Sequence, residues 1–181
     1  MKNAKTHWIT QTAILLALLV VIHYVTASFA NPFITGSAVN MTLIISVMLC
    51  GLSTGITVAA VSPVIARLIG IGPLWSLIPF IMAGNVALVF TWHIVVKKTR
   101  IRGKLAYAVA LIAAAVFKFF VLFVSIVKIA VPLFLKLPET QAKTVSGMFS
   151  FSQIITASVG GVIAILILPA LRKALGKSWV Y

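Results

Sequence analysis

From Trp8 to Val96 the chain carries a single formal charge, Arg67. Uncharged stretches of that length have no place on a water-exposed surface, whereas a helix crossing the hydrocarbon core of a bilayer needs about 20 apolar residues in a row. The rest of the composition agrees. With 62% hydrophobic residues, 9% charged residues and a mean hydropathy of +1.19, there is too little polar surface to wrap a water-soluble globule of 181 residues. Lipid is the solvent this sequence implies.

The expected fold class is therefore an all-α integral membrane protein of about six transmembrane helices, in a single transmembrane domain covering residues 1–181. Breaks in the apolar pattern place the helices near 8–30, 37–50, 56–69, 77–96, 105–131 and 146–171. Asn31-Pro32 ends the first, because proline disfavours helical geometry in the residue before it, and 31–36 reads as a short loop. Gly51 to Gly55 reads as a small turn, Pro63 as a kink, and Gly70-Ile71-Gly72-Pro73 as a break followed by Trp75, a residue favoured where lipid meets water. A basic stretch from Lys97 to Lys104 ends the fourth helix, and 132–145 forms the longest loop. The first apolar run follows Lys2 and Lys5 as in a signal peptide, but it continues to Ala30 without a convincing cleavage site and is read as a retained helix.

Orientation follows from the cations. Lys2, Lys5, Lys97, Lys98, Arg100, Arg102, Lys104, Arg172, Lys173 and Lys177 fall on one side of such a bundle, ten of the fifteen lysines and arginines, while Lys136 and Lys143 fall on the other. By the positive-inside rule both termini and the 97–104 loop face the cytoplasm, as expected of a multi-pass protein of a bacterial cell membrane.

Whole classes of chemistry are excluded by what is missing. Glu139 is the only acid, so paired-carboxylate catalysis and carboxylate-rich metal sites have no residues to build them. Cys50 is alone and reads as a packing residue. His7, His23 and His93 share no ligand spacing and have no acid beside them, so neither a metal site nor a catalytic triad is expected. The glycine-rich 70–73 segment lacks the GK[ST] ending of a phosphate loop. The net charge of +14 does not mark a nucleic-acid binder, because most of the cations lie between apolar runs and not on one water-exposed face.

What remains is a short list of polar groups inside helices. Lys118 lies midway along the fifth, where an unpaired cation costs at least about 2.5–3.5 kcal/mol. Either its stem snorkels to water or it faces a cavity, a partner or a bound anion. Lys128 and Arg67 lie nearer the outer surface, where snorkelling is easier, and with no acid in any helix the three cations together offer an anionic ligand its counter-charge. Asn40, Asn85 and Gln153 sit in the outer half, each suited to an interhelical hydrogen bond or to a ligand contact. Substrate-binding candidates are thus Asn40, Trp75, Asn85, Lys118, Lys128 and Gln153. Ala13 and Ala17 form a small-residue step on one face of the first helix, a feature that lets another helix approach closely in lipid. Gly51 with Gly55 and Ala157 with Gly161 repeat the pattern, read there as internal packing.

Six helices in fewer than 200 residues, basic ends, Ala13-Ile14-Leu15-Leu16-Ala17, and the segments 31–36 and 70–75 together resemble the substrate-binding S component of an energy-coupling factor (ECF) transporter. The resemblance extends over nearly the whole chain. It implies that the Ala13 and Ala17 face docks on a transmembrane T component joined to two cytoplasmic ATPases, and that the 31–36 loop and the outer ends of helices 4 to 6 enclose a vitamin or related micronutrient. It further implies that the S component topples in the membrane to carry its ligand inward. The chain itself would hold no cofactor, ATP being used by the partner ATPase subunits. Cations without acids favour a carboxylate- or phosphate-bearing ligand, with pantothenate the leaning among family substrates. The alternatives are a solitary carrier or channel, and a small membrane enzyme using Lys118 or a histidine as base, against which the dearth of paired titratable groups argues.

Overall fold

A computed structural model of the protein describes residues 2–72, 74–98 and 103–176, and among these every regular element is helical. In chain order they are α1 (Lys2–Ala27), α2 (Pro32–Leu68), a 3-10 turn (Trp75–Leu77), α3 (Ile78–Lys98), α4 (Lys104–Leu122), a π-helical continuation of α4 (Phe123–Leu135), α5 (Glu139–Met148) and α6 (Ser152–Leu175). Among the described residues five stretches are long and apolar enough to cross a bilayer: Lys5–Ala27, Pro32–Leu68, Trp75–Lys97, Leu105–Leu135 and Glu139–Leu175. Of the cations used to set orientation, Arg100, Arg102 and Lys177 lie outside the described residues.

The main departure from the sequence reading lies in α2. Helices at 37–50 and 56–69 were expected with a five-residue turn between them, yet helical geometry runs from Pro32 to Leu68 with Gly51 alone outside it. A straight helix of 37 residues would measure about 55 Å, too long for one crossing. It is not straight. Gly51 adopts φ 84°, ψ 179°, a conformation open to a residue without a Cβ. A Cβ built on Gly55 would lie 2.9 Å from that of Val47, although eight residues of continuous helix would separate the two by about 12 Å. The segments 32–50 and 52–68 therefore fold back on each other across one residue.

Loops elsewhere are also shorter than expected. The 31–36 segment is not a loop: Asn31 caps α2 by accepting the Phe33 backbone N–H at 2.9 Å, and Pro32 occupies the first helical position, where its missing N–H costs nothing. The 132–145 loop contracts likewise, since the π segment extends through Pro132 to Leu135 and α5 begins at Glu139. At Pro63 the dihedral angles stay helical and no break forms.

The bundle divides into a packed half and a hollow half. In the packed half Leu19, Leu43, Val58, Leu88, Trp92, Ala114, Ala157 and Ala164 form a core from α1, α2, α3, α4 and α6. Trp92 is fully enclosed and its indole N–H donates to the Met48 sulfur at 2.9 Å, while the Arg172 guanidinium reaches the Met48 carbonyl at 3.5 Å. These contacts gather the Gly51 bend and the ends of α3 and α6 at one end of the molecule. A second, smaller cluster of Leu77, Leu122, Ile126, Ala130 and Phe149 lies towards the other end. Between that cluster and the core is a cavity.

Candidate functional site

The cavity has a volume of about 620 Å³ and is lined by residues of α1 to α6 and of the segments joining α1 to α2 and α2 to α3. That size suits a small organic ligand. Most of its wall is apolar, including Val39, Ile71, Leu77, Ile81, Leu122 and Phe149. Set into that wall are Lys118, Asn40, Asn85, Gln153, Arg67, His23 and several hydroxyls. None of them is acidic, and Glu139, the one acid of the chain, is exposed on α5 in an ion pair with Lys143 at 2.7 Å.

Lys118 is the centre of the polar set. It is 4% exposed, and its Nζ donates to Asn40 Oδ1 at 2.6 Å and to Asn85 Oδ1 at 2.8 Å. An ammonium has three N–H donors, so one remains once the two amides are satisfied. Hydrogen bonds to a charged group contribute roughly 1.5–3 kcal/mol each, and two of them offset the cost of holding the cation within an apolar bundle.

The two amides are themselves fixed by the helices around them. Pro63 has no N–H, so the carbonyl four residues earlier, that of Ala59, loses its helical partner. Asn85 Nδ2 and Ser62 Oγ both donate to that carbonyl, each at 3.4 Å. With its NH₂ committed there, Asn85 presents its carbonyl oxygen to Lys118. Asn40 is oriented by Thr156, whose Oγ1 accepts from Asn40 Nδ2 at 3.3 Å. Thr156 can stand there because α6 meets α2 through Gly160, where a Cβ would collide with the Ser37 carbonyl oxygen and come within 2.8 Å of the Met41 nitrogen.

Four of the six expected binding residues, Asn40, Asn85, Lys118 and Gln153, come together in this lining. Gln153 is half-buried and donates through Nε2 to the Met148 carbonyl at 2.9 Å. The other two lie elsewhere. Trp75 is 51% exposed, with its ring 5.9 Å from the Arg67 guanidinium carbon. Lys128 is exposed, and its Nζ is 5.5 Å from the centre of the Phe123 ring. Neither lines the cavity. His23 and Arg67 do, although the sequence-based candidate set omitted both. Arg67 donates through Nη1 to the Gly72 carbonyl at 3.3 Å, and among the described residues neither its enclosed Nε nor the enclosed His23 Nδ1 has a partner.

Ala13 and Ala17 are exposed, along the same side of α1 as Ile14, Leu18 and Val21. That face is apolar and is left exposed by the described residues, whereas Leu15 and Leu19 point into the core. The other small-residue pairs pack internally: a Cβ on Gly55 would sit 2.8 Å from Val89 Cγ1, Ala157 is fully buried, and Gly161 faces Leu111 and Ile44.

Comparison with known proteins gives one match. The family model for the ECF transporter substrate-specific component matches residues 8–172. No curated protein and no solved structure matches the chain. The family is one of transporter subunits and not of enzymes, and the five long apolar stretches accord with a multi-pass membrane protein. The match covers nearly the whole chain, and the protein belongs to the family of ECF transporter substrate-specific components.

Proposed function

We propose that this S component captures a small carboxylate-bearing micronutrient in the cavity around Lys118, with pantothenate the leading choice, and delivers it inward with a T component and two ATPases. The observation that carries the reading is the Lys118 ammonium, buried in an acid-free cavity with two neutral amide acceptors and one donor to spare. A cationic ligand would meet uncompensated repulsion there, and a neutral one would leave the charge without a counter-ion. A carboxylate oxygen completes the coordination of the ammonium and neutralises it.

In this reading the molecule crosses a bacterial plasma membrane six times as one transmembrane unit, the two halves of α2 counting as separate crossings. Its termini lie in the cytoplasm. The cavity then opens outward, since it is lined at the end of the bundle opposite Met48, Arg172 and the last turns of α3 and α6. The exposed apolar face carrying Ala13 and Ala17 supplies the surface for the T component, because small side chains let two helices approach closely where lipid provides no hydrophobic drive. The chain needs no cofactor, ATP being consumed by the partner ATPases.

Equilibrium binding of labelled pantothenate and of neutral and cationic vitamins to the purified protein tests the substrate. Saturable binding of the acid alone is expected, and tight binding of only a neutral or cationic compound contradicts it. Co-purification tests the assembly. A T component and two ATPases are expected to accompany the protein, and Ala13→Leu with Ala17→Leu to weaken their association. Undiminished association of that double variant contradicts docking through the Ala13 and Ala17 face, and absence of these partners with transport by the protein alone favours a solitary carrier.

A further inference from the structure

The cavity holds a second cation, and its placement says something about the length of the ligand. Arg67 lies in the last turn of α2 and lines the same cavity as Lys118. The depth of Lys118 along the same half-helix is marked by Ala59, whose carbonyl holds the Asn85 that in turn holds Lys118. Arg67 follows Ala59 by eight residues, an axial separation of about 12 Å. The two cations therefore mark different levels along this half-helix.

Arg67 is also incompletely used by the protein. Of the five N–H donors of a guanidinium, one is bonded to the Gly72 carbonyl, the enclosed Nε has no partner among the described residues, and the guanidinium carbon lies 5.9 Å from the Trp75 ring centre. The same contacts hold Gly72 and Trp75, and Ile71 and Gly72 line the cavity with Arg67. The chain provides no carboxylate for either cation, as its single acid is paired on α5.

We propose that Arg67 is a second anchor for the ligand, and that the protein takes an elongated acid bearing an oxygen-rich acceptor group at each end, one on Lys118 and one on Arg67. This rests on the reading of the cavity as an acid-binding site and adds to it a length and a second polar terminus. Compact monoacids reach one cation and leave the other unmet. Linear molecules long enough to bridge the two levels meet both, and the apolar part of the cavity lining suits a hydrocarbon or amide spacer.

Probes for this exist as simple compounds: linear α,ω-dicarboxylates of increasing chain length and the monocarboxylates of matching length, tested by thermal stabilisation of the full-length protein in lipid nanodiscs. Dicarboxylates are expected to stabilise it more than their monocarboxylate partners, with an optimum at intermediate chain length and little advantage for the shortest. Arg67→Gln is expected to reduce the preference for the dicarboxylate by about tenfold or more, since a hydrogen bond to a charged group contributes roughly 1.5–3 kcal/mol. Arg67→Lys, which keeps the charge, is expected to retain part of it. Melting of each variant without ligand shows whether the fold is intact. Equal stabilisation by mono- and dicarboxylates at every length, or a preference indifferent to Arg67→Gln, overturns the second anchor while leaving the acid site in place. Failure of every acid of either series to stabilise the protein overturns the acid-binding reading itself.

Discussion

The two halves of this bundle are made from the same helices, α2, α3, α4 and α6, yet one is filled and the other hollow. Around Met48 and Trp92 the facing side chains are mostly large and apolar, and they leave no room for a water molecule. Around Lys118 the corresponding positions carry Gly36, Asn40, Ser62, Ala66 and Asn85, side chains too small or too polar to fill the space. A membrane helix bundle gains little from the hydrophobic effect between its helices and depends on close packing and interhelical hydrogen bonds. The packed half relies on the first of these and the hollow half on the second. Substitutions should separate the two accordingly, lowering stability in one half and ligand binding in the other.

The largest effect is expected from Trp92→Ala in the packed half. It empties the biggest enclosed side chain of the core and removes the Met48 contact, so unfolding in denaturing detergent should show a loss of about 3–5 kcal/mol. Gly55→Ala comes next, at about 1–3 kcal/mol, because the added methyl meets Val47 and Val89 at under 3 Å where the halves of α2 close. In the hollow half Asn40→Leu removes one acceptor from Lys118 and should weaken binding of an acidic ligand by about tenfold, read by equilibrium binding. Lys128→Gln should change neither property beyond about 0.5 kcal/mol, since that side chain is exposed and outside the cavity. A large loss of binding with Trp92→Ala in protein that remains folded, or with Lys128→Gln, would break the division between the halves.

Much of this division is legible in the sequence, and the parts that are not have physical reasons. Apolar runs marked the crossing segments, and the cost of a midplane cation singled out Lys118. Asn40 and Asn85 stood out as amides in hydrocarbon that need partners, and the structure makes Lys118 the partner of both. Pro63 carried a signal that was read only as a kink. Its missing N–H frees the Ala59 carbonyl, and that carbonyl orients Asn85. The site of the α2 reversal was visible in the glycines, but a single positive φ at Gly51 suffices for it, and composition does not tell one residue from five. Lys128 lies outside the cavity lining, and its facing direction depends on a backbone that leaves α geometry at Phe123, where the wider π turn changes the phase of every later side chain. Arg67 was named with Lys118 and Lys128 as a counter-charge for an anionic ligand but not placed in the binding set, as a long stem near a helix end normally reaches water. Its place in the cavity goes with Gly72 and Trp75 meeting its side chain, contacts that have no local signature in the sequence.

The central claim is that Lys118 holds the anionic end of a small acid. The most direct measurement is mass spectrometry of small molecules retained through purification by the native protein and by Lys118→Met, each checked for folding by its melting curve. A carboxylate- or phosphate-bearing molecule on the native protein and its loss from the folded variant is the expected result. Retention of a neutral or cationic compound, held equally by both, would contradict the account.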